Sequence, residues 1–347
     1  MNTEKDQQIE IEKDSVSSSR KEDHIDLAFK SETSVMIKDS RFNYEPLFKT
    51  IDEVDLTPSI DVCGKTINYP IWISSMTGGT QKASIINQNL ARLCGEFKLS
   101  MGLGSCRQLL YDDKRLEDFK VRTLMPDSPL LVNLGVAQIE ELIVNKQIDK
   151  IETLIHKLKA DGLIIHVNPL QEWLQPEGDK FRQTIISTIE AIIEKANYPI
   201  IVKEVGQGFG PKSLKHLSQL PLEALDLAGF GGTNFSKLEL LRANELSNAC
   251  NESVYLQGHT CQEMITWLNS YIAENNGELS CRYIILSGGI KNYMDGYYLK
   301  EKLNYPSIYA QASGFLAYAT NYEELKQYLA LQIEGLKMAN AYFTVKE

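Results

Sequence analysis

Eight short apolar runs constrain the fold of this 347-residue chain more than any other feature of its sequence. Each run is followed by glycine or polar residues and then by a stretch with helical spacing. The runs are nearly continuous, as expected of parallel strands covered on both faces. Eight such units over about 250 residues predict an α/β fold, a TIM (β/α)8 barrel, with an open doubly wound sheet as the alternative. The runs are Pro70–Met76, Leu99–Ser105, Pro129–Gly135, Gly162–Asn168, Pro199–Gly206, Ala224–Gly229, Tyr283–Gly289 and Ser307–Gly314, and Ser253–His259 is a candidate ninth strand.

The segments outside this rhythm predict simpler structure. Residues 1–19 are polar and lack aromatic side chains, which predicts a disordered tail. The spacing in "RKEDHIDLAF" (20–29) suits a short helix, and the chain from there to residue 70 is irregular. We therefore expect one barrel domain over residues 20–347. The last stretch, 322–343, predicts a helix with one broad apolar face made by Leu325, Leu329, Ile333, Leu336 and Phe343.

Composition excludes several classes of function. The net charge of −10 argues against nonspecific binding to nucleic acid, which needs Lys and Arg to neutralise phosphates. No run of 18 apolar residues exists, so no membrane span is expected, and the N-terminus lacks the apolar core of a secretory signal. None of the six cysteines forms a C-x-x-C pair, which argues against structural zinc. We expect free, buried thiols in a cytoplasmic protein, and only Cys106 is a candidate to line a site.

Polar residues collect where the predicted strands end. In a barrel these carboxyl ends meet at one edge and form the active site. Small residues, "SGGI" and "ASG", fall at the ends of the seventh and eighth runs, where barrels customarily bind phosphate through backbone N–H groups. A phosphate-bearing cofactor is therefore the working hypothesis, although each glycine pair taken singly also suits a plain turn. The polar strand ends carry Ser75, Thr77, Ser105, Cys106, Arg107, Asn133, His166, Asn168, Gln171, Glu172, Lys203, Thr233 and Ser313.

Lys203 and His166 each admit more than one interpretation. Lys203 ends a very apolar strand, where a charged amine needs an anionic partner. It suits an ion pair with Glu204 or another carboxylate, a Schiff-base lysine, or a positive charge facing an electron-rich cofactor ring, which we favour. His166 suits a hydrogen bond to phosphate or a satisfied buried histidine.

A diphosphate and a magnesium ion are the ligands that the remaining residues favour. Glu172 is the only carboxylate in the immediate fourth-strand cluster, and one carboxylate plus phosphate oxygens is how Mg²⁺ is usually held. The cationic donors suited to a diphosphate are Arg20, Lys21, His24 and Arg107, although Arg20 and Lys21 alone also suit a solvated surface pair.

Taken together, the motifs resemble those of the type 2, FMN-dependent isopentenyl-diphosphate isomerases. The resemblance runs from residue 20 to about 316. It implies a barrel that binds FMN at its mouth and interconverts isopentenyl and dimethylallyl diphosphate with no net redox change. It also implies flavin reduction by NADPH, a requirement for Mg²⁺, and a homo-oligomer, a tetramer or octamer. The matching motifs are "RKEDHI" (20–25), "SSMTGG" (74–79), "GLGSCR" (102–107), "LLVNLGVAQ" (130–138), "DGLIIHVNPLQEWLQPEGD" (161–179), "IIVKEVGQG" (201–208), "GGTNF" (231–235) and "SGGI" (287–290).

The resemblance also implies roles for individual residues. Gln171 would contact the substrate near its reacting carbons, Lys203 would stabilise negative charge on the flavin, and Glu172 would bind Mg²⁺. His166 joins Gln171 and Lys203 as a catalytic candidate. The substrate diphosphate would meet residues 20–69 through Arg20, Lys21 and His24, and the barrel through Ser105, Cys106, Arg107, His166 and Asn168. FMN would contact Ser74, Ser75, Met76, Thr77, Ser105, Asn133, Lys203, Thr233, Gly289, Ile290, Lys291, Ala312 and Ser313.

The chain departs from the family pattern beside the predicted phosphate site. Ala228 and Phe230 stand where family members usually carry Ser and Arg or Lys, which puts one hydrogen bond to FMN in question. The segment 252–281 and the eighth-strand end "ASGFL" also diverge. Two rival functions follow, an FMN oxidoreductase on the same barrel and a noncatalytic flavin-binding protein. Gln171 and Glu172 beside diphosphate donors fit the oxidoreductase poorly, and the presence of Lys203, Gln171 and Glu172 argues against the noncatalytic protein.

Overall fold

All eight apolar runs form strands of one closed, parallel barrel in the computed structural model, so the predicted (β/α)8 architecture is confirmed. The structure describes residues 19–76 and 78–346. The strands follow one another around the barrel, and pairing of the last strand with the first, Tyr309 opposite Ile71, excludes the open sheet. The strands are β1 Ile71–Ile73, β2 Ser100–Gly102, β3 Leu130–Gly135, β4 Gly162–Val167, β5 Ile200–Glu204, β6 Ala224–Asp226, β7 Tyr283–Leu286 and β8 Ser307–Gln311.

Helices cover the outside of the barrel, which explains why the strands are apolar on both faces. The β2–β3 connection departs from the rhythm, because it holds 3-10 turns at Arg107–Leu110, Leu116–Asp118 and Arg122–Leu124. The candidate ninth strand is wrong, since residues 253–259 form turns and irregular chain. The helices of this layer are α1 Gln81–Phe97, α2 Val136–Val144, α3 Asp149–Leu158, α4 Pro169–Leu174, α5 Ile185–Ile193, α6 Pro211–Ser218, α7 Phe235–Arg242, α8 Glu245–Asn251, α9 Cys261–Glu274, α10 Tyr293–Lys302, α11 Ser313–Leu316 and α12 Tyr322–Tyr342.

Helix α12 confirms the predicted C-terminal helix and most of its apolar face. Leu325, Leu329, Ile333 and Leu336 are buried. Phe343 lies beyond the last helical residue and is only half-buried. Burying an aliphatic side chain of this size stabilises the fold by about 1.5–3 kcal/mol, so the helix is held mainly by this face.

The inward-facing residues of the strands change from apolar to polar toward the carboxyl ends. Leu131, Ile164 and Ile201 belong to the apolar core inside the barrel. Because side chains alternate between the two faces of a strand, the inward position two residues later falls on Asn133, on His166 and on Lys203 respectively. Each of these three strands, β3 to β5, therefore contributes an apolar residue to the core and a polar residue to the barrel mouth.

A two-stranded hairpin, Asp61–Val62 with Lys65–Thr66, closes the amino-terminal end of the barrel. Its turn residues Cys63 and Gly64 both have positive φ, and the Cys63 N–H donates to the Glu223 carboxylate at 2.7 Å. Glu223 directly precedes β6, which locates the hairpin at this end. Val62 lies in the apolar core, so the hairpin stabilises the end opposite the polar mouth.

The chain forms two compact units, residues 19–43 and 44–345. In the first unit residues 19–27 are helical, which agrees with the predicted short helix. Arg20, Lys21 and His24 lie on this helix and are exposed. The tail predicted over residues 1–19 lies outside the described residues except for Ser19. No helix in the described part of the chain is long and apolar enough to cross a membrane.

Candidate active site

His166, Lys203 and Asp226 form a row across three neighbouring strands at the barrel mouth. His166 pairs with Lys203 in the register of β4 and β5, and Lys203 pairs with Asp226 in the register of β5 and β6. Burial, and after it the positive charge of Lys203, lowers the pKa of His166 to about 4. His166 is therefore neutral at pH 7. Its Nδ1 lies 2.8 Å from Asn133 Oδ1, which assigns the proton to Nδ1 and leaves Nε2 as an acceptor.

Lys203 does not form the expected alternative ion pair with Glu204. The Lys203 ammonium donates to the backbone oxygen of Glu204 at 2.6 Å. The Glu204 carboxylate lies on the other face of the strand, where it accepts the N–H groups of Gly206, Gln207 and Gly208 at 2.6–2.9 Å. Among residues 19–76 and 78–346, no carboxylate forms an ion pair with Lys203, so two of its N–H groups are open to a ligand.

A cavity of about 550 Å³ opens at the ends of β1 and β5–β8. This volume lies in the range of small-molecule sites. Gln311 also lines the cavity, and sequence reasoning did not single it out, because an amide within an apolar strand carries no motif. Nine predicted cofactor residues line the cavity, namely Ser74, Ser75, Lys203, Thr233, Gly289, Ile290, Lys291, Ala312 and Ser313.

Close approach of two strand ends shapes the wall of this cavity. Gly288 has φ +94°, and a Cβ at this position would lie 2.0 Å from the Gly229 backbone oxygen. Two buried polar atoms of the wall, Ser75 Oγ and Gln311 Nε2, have no hydrogen-bond partner in the described part of the chain. Buried groups of this kind are normally paired, so both fit a ligand that accepts or donates hydrogen bonds there.

One of the two departures from the family pattern, Ala228, lies at this cavity, whereas Phe230 is not among the lining residues. Ala228 adopts a strained φ of +40° and lines the cavity, and its N–H donates to Ser287 Oγ at 2.7 Å. The backbone N–H of Phe230 donates to the His259 backbone oxygen at 2.8 Å. Neither side chain offers a hydrogen bond, which leaves Lys203 and Lys291 as the cations that line the cavity.

Helix α4 carries the second group of polar residues, and its length follows from its sequence. Pro169 occupies the first turn, where a fixed φ favours helix, and Gln175 is extended because it precedes Pro176. Gly178 then lets the chain fold back, since a Cβ there would lie 1.8 Å from the Glu172 backbone oxygen. This return brings the Asp179 N–H within 2.8 Å of Glu172 Oε2.

Asn168 joins Gln171 and Glu172 into one network. Its Nδ2 donates to Glu172 Oε1 at 2.9 Å and to Gln171 Oε1 at 3.2 Å. Its own Oδ1 is buried and has no partner among the residues that the structure describes. Nowhere in residues 19–76 and 78–346 do three or more His, Cys, Asp or Glu side chains form a group that could hold a metal ion. Glu172 with Asn168 Oδ1 therefore fits only a cation that takes its other ligands from phosphate and water.

Glu239 on α7 completes this network, and sequence reasoning missed it. The buried Glu239 carboxylate accepts from Gln171 Nε2 at 3.1 Å, from Gln175 Nε2 at 2.7 Å and from Arg242 at 2.6 Å. Because a carboxylate only accepts, the amide nitrogen of Gln171 must face Glu239. The sequence feature that could have indicated Glu239 is its position as a single carboxylate between leucines in "KLELL" (237–241).

Arg107 is held by the same returning loop. It forms a 3.0 Å ion pair with Asp179, whose Oδ2 also accepts from Gln138 Nε2 at 2.9 Å. The neighbouring Ser105 is exposed, whereas Cys106 is buried and its thiol points to the Gly104 oxygen. Burial raises the pKa of Cys106 to about 12, so the thiol stays protonated.

The other predicted residues fall outside these two groups. Met76 is half-buried beside Ser75, and Thr77 lies outside the described residues. Arg20, Lys21 and His24 belong to the unit of residues 19–43. The six cysteines are free, as predicted, but Cys250 is exposed and Cys63 is half-buried rather than buried.

The closed barrel and the polar cavity at the carboxyl ends of its strands define a (β/α)8-barrel enzyme. Solved structures with this fold include a flavocytochrome b2 variant with sulfite bound, with TM-score 0.59, 14% identity, and coverage of 87% of this chain and 72% of that chain. They also include a mandelate oxidase variant with the monooxide FMN adduct, with TM-score 0.53, 12% identity, and coverage of 88% of each chain. These identities are low, so the likeness shows the fold alone.

The chain belongs to the isopentenyl-diphosphate delta-isomerase family. It is 33% identical over 339 residues to the isomerase of Rickettsia akari (strain Hartford), covering 96% of this chain and 94% of the relative. It is 35% identical over 297 residues to that of Rickettsia prowazekii (strain Madrid E), covering 84% and 82%. A scan against models of protein families gave no match.

Proposed function

We propose that this protein is a type 2 isomerase that interconverts isopentenyl and dimethylallyl diphosphate with reduced FMN bound. The observation that carries the proposal is the division of one barrel mouth into an open polar cavity and a paired network around Gln171 and Glu172. The identity to curated isomerases over almost the whole chain supports the same reaction. NADPH as the reductant, a cytoplasmic location and a homo-oligomer stay predictions from the sequence.

FMN fits the cavity by three properties of its wall. The backbone N–H groups of residues 288–290 and 312–313 suit the phosphate, beside the Lys291 ammonium. Ser75 Oγ and Gln311 Nε2 are buried and unpaired within the described residues, and each suits a polar atom of the cofactor. Lys203 would face the ring system. Reduced FMN would supply an electron-rich ring and a proton-transferring group next to the substrate.

The network on the other side would bind and orient the substrate. Arg107 offers a guanidinium to the diphosphate, and Glu172 with Asn168 Oδ1 offers oxygen ligands to Mg²⁺. The neutral His166 presents Nε2 as an acceptor, and a bound phosphate would raise the pKa of His166 and favour its protonation. These residues would hold the diphosphate end in one place.

Gln171 would stand beside the reacting carbons. One of its amide N–H groups is taken by Glu239 and one lone pair of its oxygen by Asn168, so one N–H and one lone pair remain. The reaction adds a proton to one carbon and removes a proton from another. An alkene is a weak base, so the proton donor must be well placed and water must be excluded. Gln171, held at both ends of its amide, would fix the position of the reacting carbons relative to that donor, because a carboxamide is itself too weak an acid to protonate an alkene.

The test is an anaerobic incubation of the purified protein with isopentenyl diphosphate, FMN, Mg²⁺ and NADPH in D₂O, followed by NMR. We expect many molecules of dimethylallyl diphosphate per NADPH consumed, with deuterium in the product. Consumption of one NADPH per product would identify an oxidoreductase on the same barrel instead. Bound, reducible FMN without any product would leave a flavoprotein of another activity.

A further inference from the structure

Asp226 is a buried carboxylate at the barrel mouth for which the proposed reaction has no role. It ends β6, one strand away from Lys203 and directly opposite it in the register. Only 1% of Asp226 is exposed. The inward-facing residue two positions earlier, Ala224, belongs to the apolar core, so Asp226 lies at the same inner face as Lys203.

The hydrogen bonds of Asp226 favour its charged form. Ser287 Oγ donates to the Asp226 carboxylate and in turn accepts the Ala228 N–H at 2.7 Å. Burial raises the pKa of Asp226 above its usual value, and the positive charge of Lys203, the Ser287 hydroxyl and the Ala228 N–H oppose this rise. The other titratable group of this row, His166, is neutral and adds no charge. Asp226 and Lys203 therefore lie next to each other beneath the cavity, and the Lys203 ammonium and the Ser287 hydroxyl are the groups that favour the charged carboxylate.

Asp226 itself does not line the cavity, whereas both of its neighbours, Lys203 and Ser287, do. Its effect on a ligand is therefore electrostatic and does not depend on contact. Charges in a partly buried site act over several ångströms with little screening. A negative charge beside Lys203 cancels part of the positive potential that Lys203 creates in the cavity.

We propose that Asp226 is the counter-charge of Lys203, and that this pair sets how strongly the cavity prefers the reduced cofactor over the oxidised one. The inference rests on the proposed function, because it requires FMN in this cavity. Reduction adds negative charge to the flavin ring, so a more positive site binds the reduced form more tightly. Lys203 strengthens this preference and Asp226 limits it.

Removing the charge of Asp226 and removing the charge of Lys203 should change the ratio of affinities for reduced and oxidised FMN in opposite directions. Asp226→Asn keeps the size of the side chain and removes its charge, so we expect the ratio of affinities for reduced and oxidised FMN to rise about tenfold. This tenfold change corresponds to an increase of about 30 mV in the two-electron midpoint potential of the bound FMN. Lys203→Met should change the ratio in the opposite direction by a similar factor. The double variant should return close to the wild-type ratio, because both charges are gone.

The experiment measures the midpoint potential of bound FMN by spectroelectrochemistry and the affinity for oxidised FMN by fluorescence. Glu223→Gln is the matched control, since it removes a buried carboxylate at the other end of the same strand, about 10 Å away. Its potential should equal that of the wild type. Asp226→Ser is made in parallel, so that one charge-free variant is available if the other does not fold.

The outcomes separate the two proposals. A protein that binds no FMN overturns the proposed function. Bound FMN with an unchanged potential in both Asp226 variants overturns the counter-charge and leaves the proposed function standing. A purely structural role for Asp226 would weaken both redox forms of FMN equally and leave the ratio unchanged, so it too would contradict the inference.

Discussion

The two sides of the barrel mouth are built in different ways. The cavity side, represented by Ser75, Gly288 and Gln311, is shaped mainly by backbone and leaves buried polar atoms unpaired. The network side comprises Arg107, Asn168, Gln171, Glu172 and Glu239, and most of its polar atoms already have partners. The same edge of one sheet thus carries an open cavity beside a network of side chains that are already hydrogen-bonded to one another.

This difference has energetic consequences. An unpaired buried donor costs about 1–3 kcal/mol, which a ligand can recover by accepting its hydrogen bond. The cavity side should therefore gain stability from its cofactor. Paired side chains lose little freedom when a substrate arrives, because their positions are already restricted. The network side should contribute to rate more than to stability.

The largest effect should come from truncating the network side. Gln171→Ala and Glu172→Ala should each reduce kcat about a thousandfold, the scale of a lost acid–base or metal-positioning group. Because neither residue lines the cavity, both variants should retain FMN in the absorbance spectrum. Near-full activity of either variant, or loss of FMN from it, would contradict the assignment.

On the cavity side, Gly288→Ala should weaken FMN binding at least about a hundredfold and lower Tm. The added Cβ would meet the Gly229 backbone oxygen at 2.0 Å, so the two strand ends must separate. Gly277 has nearly the same φ, +93°, but nothing lies within 4 Å of an added Cβ there. Gly277→Ala should cost only the strain of about 1–3 kcal/mol and retain FMN. Equal FMN affinities in the two variants would show that close approach does not shape the cavity.

Glu239→Gln should reduce kcat about ten- to a hundredfold with unchanged FMN affinity. The neutral amide no longer obliges Gln171 to present its nitrogen, so the reacting geometry loses its fixed orientation. Gln175→Ala is the control, because it removes the other amide donor to Glu239 and leaves Gln171 in place. If both variants lost the same activity, Glu239 would act on the helix packing instead of on Gln171.

The smallest effect should be a change of stability with pH. The pKa of His166 falls from 6.5 to about 4 on folding, because burial disfavours the charged ring. The resulting stability is fully present above pH 6.5 and is lost as pH falls to about 4, by at most about 3 kcal/mol. His166→Gln should flatten this dependence in urea titrations, relative to the exposed His156→Gln. Parallel curves for the two variants would show that folding does not lower the pKa of His166.

The sequence predicted the barrel and the location of its mouth from local patterns. Apolar runs such as Gly162–Asn168 and Pro199–Gly206 needed only their length and their flanking residues to be recognised. The prediction of strands failed where a segment has a strand-like sequence but no neighbouring strand to pair with. Ser253–His259 has strand-like composition, yet it finds no place in a barrel that is already closed.

The residues of the site also divide into those that local sequence indicated and those that it did not. Lys203, His166 and Glu172 stand at strand ends or beside them, so their positions followed from the β-α rhythm alone. Glu239 lies within a helix, and Asp226 and Gln311 end their strands inside the apolar runs 224–229 and 307–314, where nothing in the neighbouring sequence marks them. Their roles depend on which side chains face them across the fold.

The sequence by itself determined the order of strands and helices, because hydrophobic periodicity and turn residues act over a few positions. The tertiary structure alone decided which polar groups are paired and which remain open. Gln171 meets Glu239 across 68 positions, and Asp226 meets Ser287 across 61. Hydrogen bonds and charges act through space over a few ångströms, so such pairs exist only after the barrel has closed.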